Sequence, residues 1–267
     1  MAIITQKHGT IEYLIADGIS APHCFTTRLG GVSTGRHASM NIGQSRGDDP
    51  ANVAENFRIL GQTIGFDPHK LVRTKQTHSD IVRRVDRQEW GLCMTPDGPK
   101  ECDGLVTCDP GTALMVFAAD CTPILLHDPV TGAVGACHAG WRGTAANIAG
   151  KTVAAMQTHF GCDPAHIRAA IGPNLGVCCF ETDADVPQAM LSAFGPEVQQ
   201  HIFPKGNKFY VNLKAINALA LHRAGVTQVE ISTECTKCQP DRFWSHRVHG
   251  DARGAQGAII VCKEAAK

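Results

Sequence analysis

The chain has 267 residues, of which 25 are basic and 25 acidic, so its formal charge is zero. With 43% apolar and 19% charged residues it is built to fold, which excludes a disordered chain. The missing net charge argues against a nucleic-acid or polyanion binder held by bulk electrostatics. A chain of this length buries about three quarters of its unfolded surface and needs no disulfide staples, so one domain over 1–267 is expected. The first residues lack the apolar core of a signal peptide, and no run approaches the roughly 18 apolar residues of a membrane span. The 12 cysteines are therefore expected as reduced thiols of a cytoplasmic protein without membrane partners.

Apolar runs with Gly, Pro or Asp at their ends predict strands at 13–16 and 23–27. Asp49 and Pro50 then open a helix, with Val53, Phe57, Leu60 and Ile64 as its apolar stripe. Strands follow at 71–75, 81–85, 104–107, 113–118, 124–127 and 133–137. A helix is expected over 144–160, ending at Gly161, with Ile148, Val153 and Met156 inward. The remaining pattern predicts a strand at 167–171, a helix at 183–194 closed by Gly195, and a strand at 208–211. A helix at 212–224, capped by Asn212 and stopped by Gly225, precedes strands at 228–231 and 258–262. Strands come in clusters without strict β-α-β alternation, which favours a layered α+β domain over a doubly wound sheet.

Several common chemistries are absent. No GxGxxG fingerprint exists, and Gly150-Lys151-Thr152 lacks the upstream glycine of a phosphate-binding loop and falls inside a helix. Gly31-Val32-Ser33-Thr34-Gly35 fits GxSxG, yet its polar surroundings predict a tight turn rather than an exposed nucleophile. Cys235 and Cys238 form a CxxC with no second CxxC, so a zinc site there would need distant partners; a structural role is preferred. The adjacent Cys178 and Cys179 are expected as ordinary packing. His246 and His249 are three apart, which by itself makes no ligand set, and the H-x-E with P-C-x-x-C deaminase signature is missing.

Three segments place ligand-type residues between strongly apolar strands, where a layered fold opens a cleft: 75–80, 119–123 and 135–144. His78, Cys121 and His138 would supply two imidazoles and one thiolate, a set suited to zinc with a fourth position open to water or substrate. Such a metal lowers the pKa of its water to about 7 or polarises a substrate oxygen. The competing reading makes each a separate core or turn residue. Strand alternation turns Cys137 away from His138, so it is not counted as a ligand.

The segment Cys137-His138-Ala139-Gly140-Trp141-Arg142-Gly143-Thr144 resembles the hallmark of the YfiH-like family, also named laccase-domain or multicopper polyphenol oxidase proteins. Phe25-Thr26-Thr27-Arg28, Met40-Asn41-Ile42-Gly43, Gln76-Thr77-His78, Asp103-Gly104-Leu105-Val106-Thr107, Asp120-Cys121-Thr122-Pro123 and Phe243-Trp244-Ser245-His246-Arg247 resemble it in order along the chain. The resemblance implies a single-domain α/β/β/α layered sandwich with zinc on His78, Cys121 and His138. It also implies purine nucleoside phosphorolysis (adenosine, inosine, methylthioadenosine) together with adenosine deamination. On that reading Arg28, Arg58 and Arg142 are candidates for a phosphate clamp, and Asp120 or Asp103 for the proton carrier. Asn41 and Gln76 are candidate base or ribose contacts. Each competes with a salt bridge or a turn cap.

The family's other label, copper-dependent polyphenol oxidase, is the alternative. A multicopper laccase requires many histidines in His-X-His pairs, and the 13 histidines here contain none. An amidase editing peptidoglycan precursors would use the same open zinc, and a zinc-stabilised binding protein would require a closed one. The sequence leaves the oligomeric state open.

Overall fold

The computed structural model describes residues 2–91 and 98–263. Strands β1 (Ile3–His8), β2 (Ile11–Ala16) and β3 (His23–Thr26) open the chain, followed by helix α1 (Pro50–Ile64). Then come β4 (Leu71–Arg73), β5 (Val82–Arg84), β6 (Gly104–Thr107), β7 (Ala113–Ala118), β8 (Thr122–His127) and β9 (Val134–Ala139). Helices α2 (Trp141–Ala145) and α3 (Ile148–Phe160) lead to β10 (Arg168–Ile171), β11 (Glu181–Thr182) and α4 (Asp185–Phe194). The chain continues through β12 (Ile202–Lys205), β13 (Lys208–Val211), α5 (Leu213–Arg223), β14 (Gln228–Ile231), α6 (His246–His249) and β15 (Gln256–Val261).

Two six-stranded sheets form, ordered β1-β2-β3-β15-β7-β4 and β14-β10-β8-β9-β6-β5, beside a small β11-β13-β12 sheet. Alternation along each strand assigns its faces. On β7, Leu114 and Val116 meet Leu105, Leu125 and Ala136 between the sheets, while Ala113 and Met115 face α1 residues Val53, Phe57 and Leu60. On β9, Val134 and Ala136 point between the sheets; Cys137 and Ala139 point to a third core that holds Ile148, Val153 and Met156 of α3 and Ile216 and Leu221 of α5. The layers are therefore helix, sheet, sheet, helix. Each fully buried Leu or Phe in these layers is worth roughly 1.5–3 kcal/mol.

Local signals account for most elements. The Asp49 side chain accepts from the Ala51 amide, Pro50 holds the first position of α1, and Gly65 closes it at φ 90°. The helix predicted over 144–160 is two helices. Asn147 adopts a left-handed conformation at φ 59° and caps α3 through the Gly150 amide, which ends α2 one turn after it starts. An unbroken apolar pattern conceals such a break. Strands β1 and β12 escape sequence reading because they are polar edges: β1 is IITQKH, and β12 carries Pro204 with three of its four residues exposed. Among the described residues no helix is long and apolar enough to cross a membrane.

Candidate metal centre and its cavity

At one end of the sandwich β7 leaves the first sheet and the chain enters the second as β8; residues 119–121 make that crossing. His138 sits near the end of β9 beside it, antiparallel to β8, and pairs with Pro123 in the ladder. His78 lies in the loop from β4 to β5. The ligand atoms of His78, Cys121 and His138 all lie within 4.8 Å of one another, with Cys121 Sγ 3.8 Å from His78 Nε2. The two imidazole rings meet edge-on at 5.0 Å between centroids. Cys137 faces the helical core, as alternation predicts.

One carboxylate builds much of this geometry. Asp103, fully buried just before β6, accepts from the amides of Thr77, His78 and Ser79 and from the Ser79 hydroxyl at 2.7–3.2 Å. Its Oδ1 also accepts from His138 Nδ1 at 2.8 Å. Burial alone would raise its pKa, but His138 and Ser79 hold it well below the usual carboxylate range. Ionised Asp103 thus obliges His138 to carry its proton on Nδ1, which leaves Nε2 as the ligand atom. The same hydrogen bonds hold His78 at φ 59°, a left-handed conformation that side chains avoid.

Asp120 is held similarly at φ 83°. Its carboxylate accepts from Thr236 Oγ1 at 2.6 Å and from the Arg247 amide at 2.7 Å, and its carbonyl accepts from the Leu175 amide. Gly140 closes the other side. A Cβ there would stand 2.7 Å from His78 Cδ2 and 3.2 Å from Cys121 Sγ, so the chain passes the ligands where only glycine fits.

The ligand set is also electrically poised. Burial works against a thiolate at Cys121, but His138 and His78 outweigh it and bring its pKa down to about 6. Burial likewise opposes charge on His138, and Cys121 with Asp103 reverses this to about 9. In the metal-free chain, Cys121 alkylation by iodoacetamide should therefore rise through about pH 6, against about 8.5 for an ordinary thiol. A pH–rate profile read by peptide mass spectrometry checks this. The pair's contribution to stability fades as pH falls through about 6, where the thiolate is protonated, and as it rises through about 9, where His138 deprotonates.

The three ligands open into a cavity of about 550 Å³. Arg46, Arg73, Lys75, Arg247 and Arg253 line it, with Asp120 as the one acidic residue of the lining. Phe117, Trp141, Leu175 and Phe180 supply apolar wall, and Gln44, Ser45 and His246 add polar groups. Arg253 is buried enough, and near enough to Arg46, that its guanidinium is held below its ordinary pKa. Its Nε is buried without a hydrogen-bond partner among the described residues. Neither Arg46 nor Arg253 forms a salt bridge there. Two guanidinium groups without a salt-bridge partner among the described residues, beside the His78, Cys121 and His138 cluster, give this wall a positive character suited to an anion. A separate cavity of about 410 Å³ around Arg84, Arg87 and Phe160 contains none of the three ligands.

The other residues singled out in the sequence are placed differently. Arg28 lies outside the cavity, stacked 3.8 Å from the Trp244 ring and donating to the Pro240 and Ala38 carbonyls. Arg58 is exposed on α1 and paired with Glu55 at 2.6 Å. Arg142 is exposed on α2 against the Trp141 ring and is absent from the lining. Asn41 is wholly buried: it donates to Asp48 and accepts from the Gly43 and Ala255 amides, so it fastens the loops that carry Arg46 and Arg253. Gln76 does line the cavity, but its amide clamps the backbone of Phe117 in both directions. The cations that surround the site were missed because Arg46 and Arg253 lie in loops without periodicity, and Arg73 is the last residue of the three-residue strand β4, whose pattern says nothing of what its side chain meets. Their clustering comes only from folding. In the GxSxG segment, Ser33 is buried and bonded to Asp48 and Asn56, a turn as predicted.

The sequence model of the family described as multi-copper polyphenol oxidoreductase laccase matches residues 22–263. The chain is 37% identical over 252 residues to a purine nucleoside phosphorylase of Deinococcus radiodurans, covering 94% of this chain and 92% of that protein. It superposes on the crystal structure of YlmD from Geobacillus stearothermophilus with a TM-score of 0.91 at 33% identity, covering 98% of this chain and 100% of that one. The Bacillus licheniformis protein YfiH gives the same TM-score at 31% identity, covering 97% and 99%. With sequence and superposition in agreement, the chain belongs to the laccase-like family of YfiH and YlmD.

Proposed function

We propose that this protein is a zinc-dependent purine nucleoside phosphorylase acting on adenosine, inosine and methylthioadenosine, with adenosine deamination as a second activity. The observation that carries the reading is the joining of His78, Cys121 and His138 to an arginine-lined cavity of about 550 Å³. Relatives named purine nucleoside phosphorylases over most of their length support it. The whole chain acts as one catalytic domain on this reading, since the lining runs from Gly43 to Ala255.

Two imidazoles and a thiolate fit zinc, which when bound supplies Lewis-acid polarisation and acidifies water. The chain's own groups do the rest. Arg46, Arg253 and Arg247 hold phosphate beside the ribose, in place of the Arg28, Arg58 and Arg142 clamp expected from sequence. Phe117, Trp141 and Phe180 offer flat apolar faces to the purine. Phosphate oxygen bonds to C1′ as the C1′–N bond breaks, and the departing base takes up a proton, for which His246 lies in the same cavity. Asp103 is a positioning residue rather than a proton carrier, because all of its acceptor positions are used. Asp120 holds the cavity wall through Thr236 and the Arg247 amide.

Zinc-loaded enzyme with adenosine should release adenine and ribose 1-phosphate only when phosphate is present, and inosine without it. Arg253→Gln is expected to raise the phosphate KM by roughly 10–100-fold, the worth of a charge-assisted hydrogen bond, and to leave the nucleoside KM nearly unchanged. Zinc-loaded enzyme that turns over neither substrate would overturn the proposal. Phenol oxidation with several coppers per chain would establish the oxidase instead.

A further inference from the structure

The cysteines read from sequence as ordinary packing come together in space. Cys178 and Cys179 lie in a turn after Asn174 and Leu175, and Cys235 and Cys238 in a turn after β14. The distant partners that a lone CxxC lacked are thus provided by the vicinal pair. All four sulfurs lie within 4.8 Å of one another; Cys238 Sγ is 3.7 Å from that of Cys178 and 3.5 Å from that of Cys179. A tetrahedral zinc with bonds of about 2.3 Å requires sulfurs about 3.8 Å apart. These spacings are far beyond the roughly 2.05 Å of a disulfide.

The surroundings suit a thiolate cluster. Cys235 Sγ accepts from the Gly176 amide at 3.2 Å. The buried Lys214 ammonium stands beside the group, held by the Ser232 and Glu234 carbonyls at 2.7 and 2.6 Å, and offsets part of the negative charge of four thiolates. Cys178 and Cys238 are exposed, an unusual position for free cysteines, which are among the most buried side chains.

We propose that Cys178, Cys179, Cys235 and Cys238 bind a second zinc ion in a closed tetrathiolate site. With four protein ligands it has no open position, so its role is structural. It ties the turn at 176–179 to the turn at 235–238, and both grip the residue before Cys121: Leu175 bonds the Asp120 carbonyl and Thr236 its carboxylate. Phe180, next to Cys179, is itself a wall of the cavity. The ion thus staples the cavity wall from outside. This inference is independent of which nucleoside the enzyme uses.

Protein purified under reducing conditions without chelator should contain about two zinc ions per chain by mass spectrometry. The double variant Cys178→Ser with Cys238→Ser should retain about one, and His138→Ala should likewise retain about one. Cobalt(II) titration of the demetallated wild-type chain supplies a test that needs no variant to fold. Two cobalt equivalents should bind, and the one that fills the four-cysteine site should bring about four times the thiolate-to-cobalt absorption of the one that binds at Cys121, where a single thiolate is present. One metal per chain in the wild type, with no second cobalt equivalent of thiolate character, would overturn the proposal. So would cysteines found paired as disulfides that take up no metal after reduction.

Discussion

Asp103→Asn is expected to weaken zinc retention by about 10–100-fold and to destabilise the chain by about 3 kcal/mol. The carboxylate is fully buried and accepts five hydrogen bonds, one from His138 Nδ1 and four from the 77–79 loop. An amide of the same shape must place its NH2 at Oδ1, facing His138 Nδ1 and the His78 amide, or at Oδ2, facing the Thr77 and Ser79 amides, so donors face donors on one side. If the NH2 meets His138, the proton moves to Nε2 and the ligand atom is blocked. If it meets Thr77 and Ser79, the residues on both sides of His78 lose their acceptor, and the left-handed conformation between them loses that support. Zinc affinity by competition with a chromophoric chelator and stability by denaturant titration measure the two effects separately. Ser79→Ala removes one donor of the same set and should cost about 1 kcal/mol with zinc retained. Equal zinc affinity in the Asp103 variant and the wild type would mean that the carboxylate does not orient His138.

Gly140→Ala should cost the metal site at least tenfold in affinity while the fold survives. Gly140 has φ −66° and ψ 172°, which alanine adopts freely, so backbone strain plays no part. The added methyl meets His78 Cδ2 at 2.7 Å and Cys121 Sγ at 3.2 Å, and both must give way. Overpacking of this kind costs about 1–3 kcal/mol, and a metal site tolerates displacements of only about 0.5 Å in its ligands. The expected result is a chain with nearly wild-type circular dichroism that loses zinc on dialysis. A variant that keeps its zinc would show that the ligands have room to move.

Where a feature depends on neighbouring residues, it could be read directly. Asp49, Pro50 and Gly65 delimit α1 by capping, and Asn212 opens α5 in the same way. Buried strands such as β7 and β8 declare themselves as apolar runs. The α2–α3 break escaped because one left-handed Asn147 interrupts a pattern that stays apolar on both sides. The polar edges β1 and β12 escaped because an edge strand pairs through its backbone and buries little.

The identities of His78, Cys121 and His138 belong to the sequence, since a soft thiolate beside two imidazoles suits zinc wherever the chain brings them. So does the glycine at 140, inside the segment that carries the family resemblance. Which arginines serve the cavity was decided only in three dimensions. Arg28, Arg58 and Arg142 were the arginines that the sequence offered for a phosphate clamp, yet ring stacking and a local ion pair occupy Arg28 and Arg58, and Arg142 lies exposed outside the lining. Arg46 and Arg253 come from opposite ends of the chain and meet because Asn41 bonds both of their loops. The four-cysteine cluster arises in the same way from two turns that separately signify nothing. A chain with zero formal charge thereby acquires a strongly positive cavity. Composition sums charges over the whole surface, whereas binding responds to the few that packing confines to one wall.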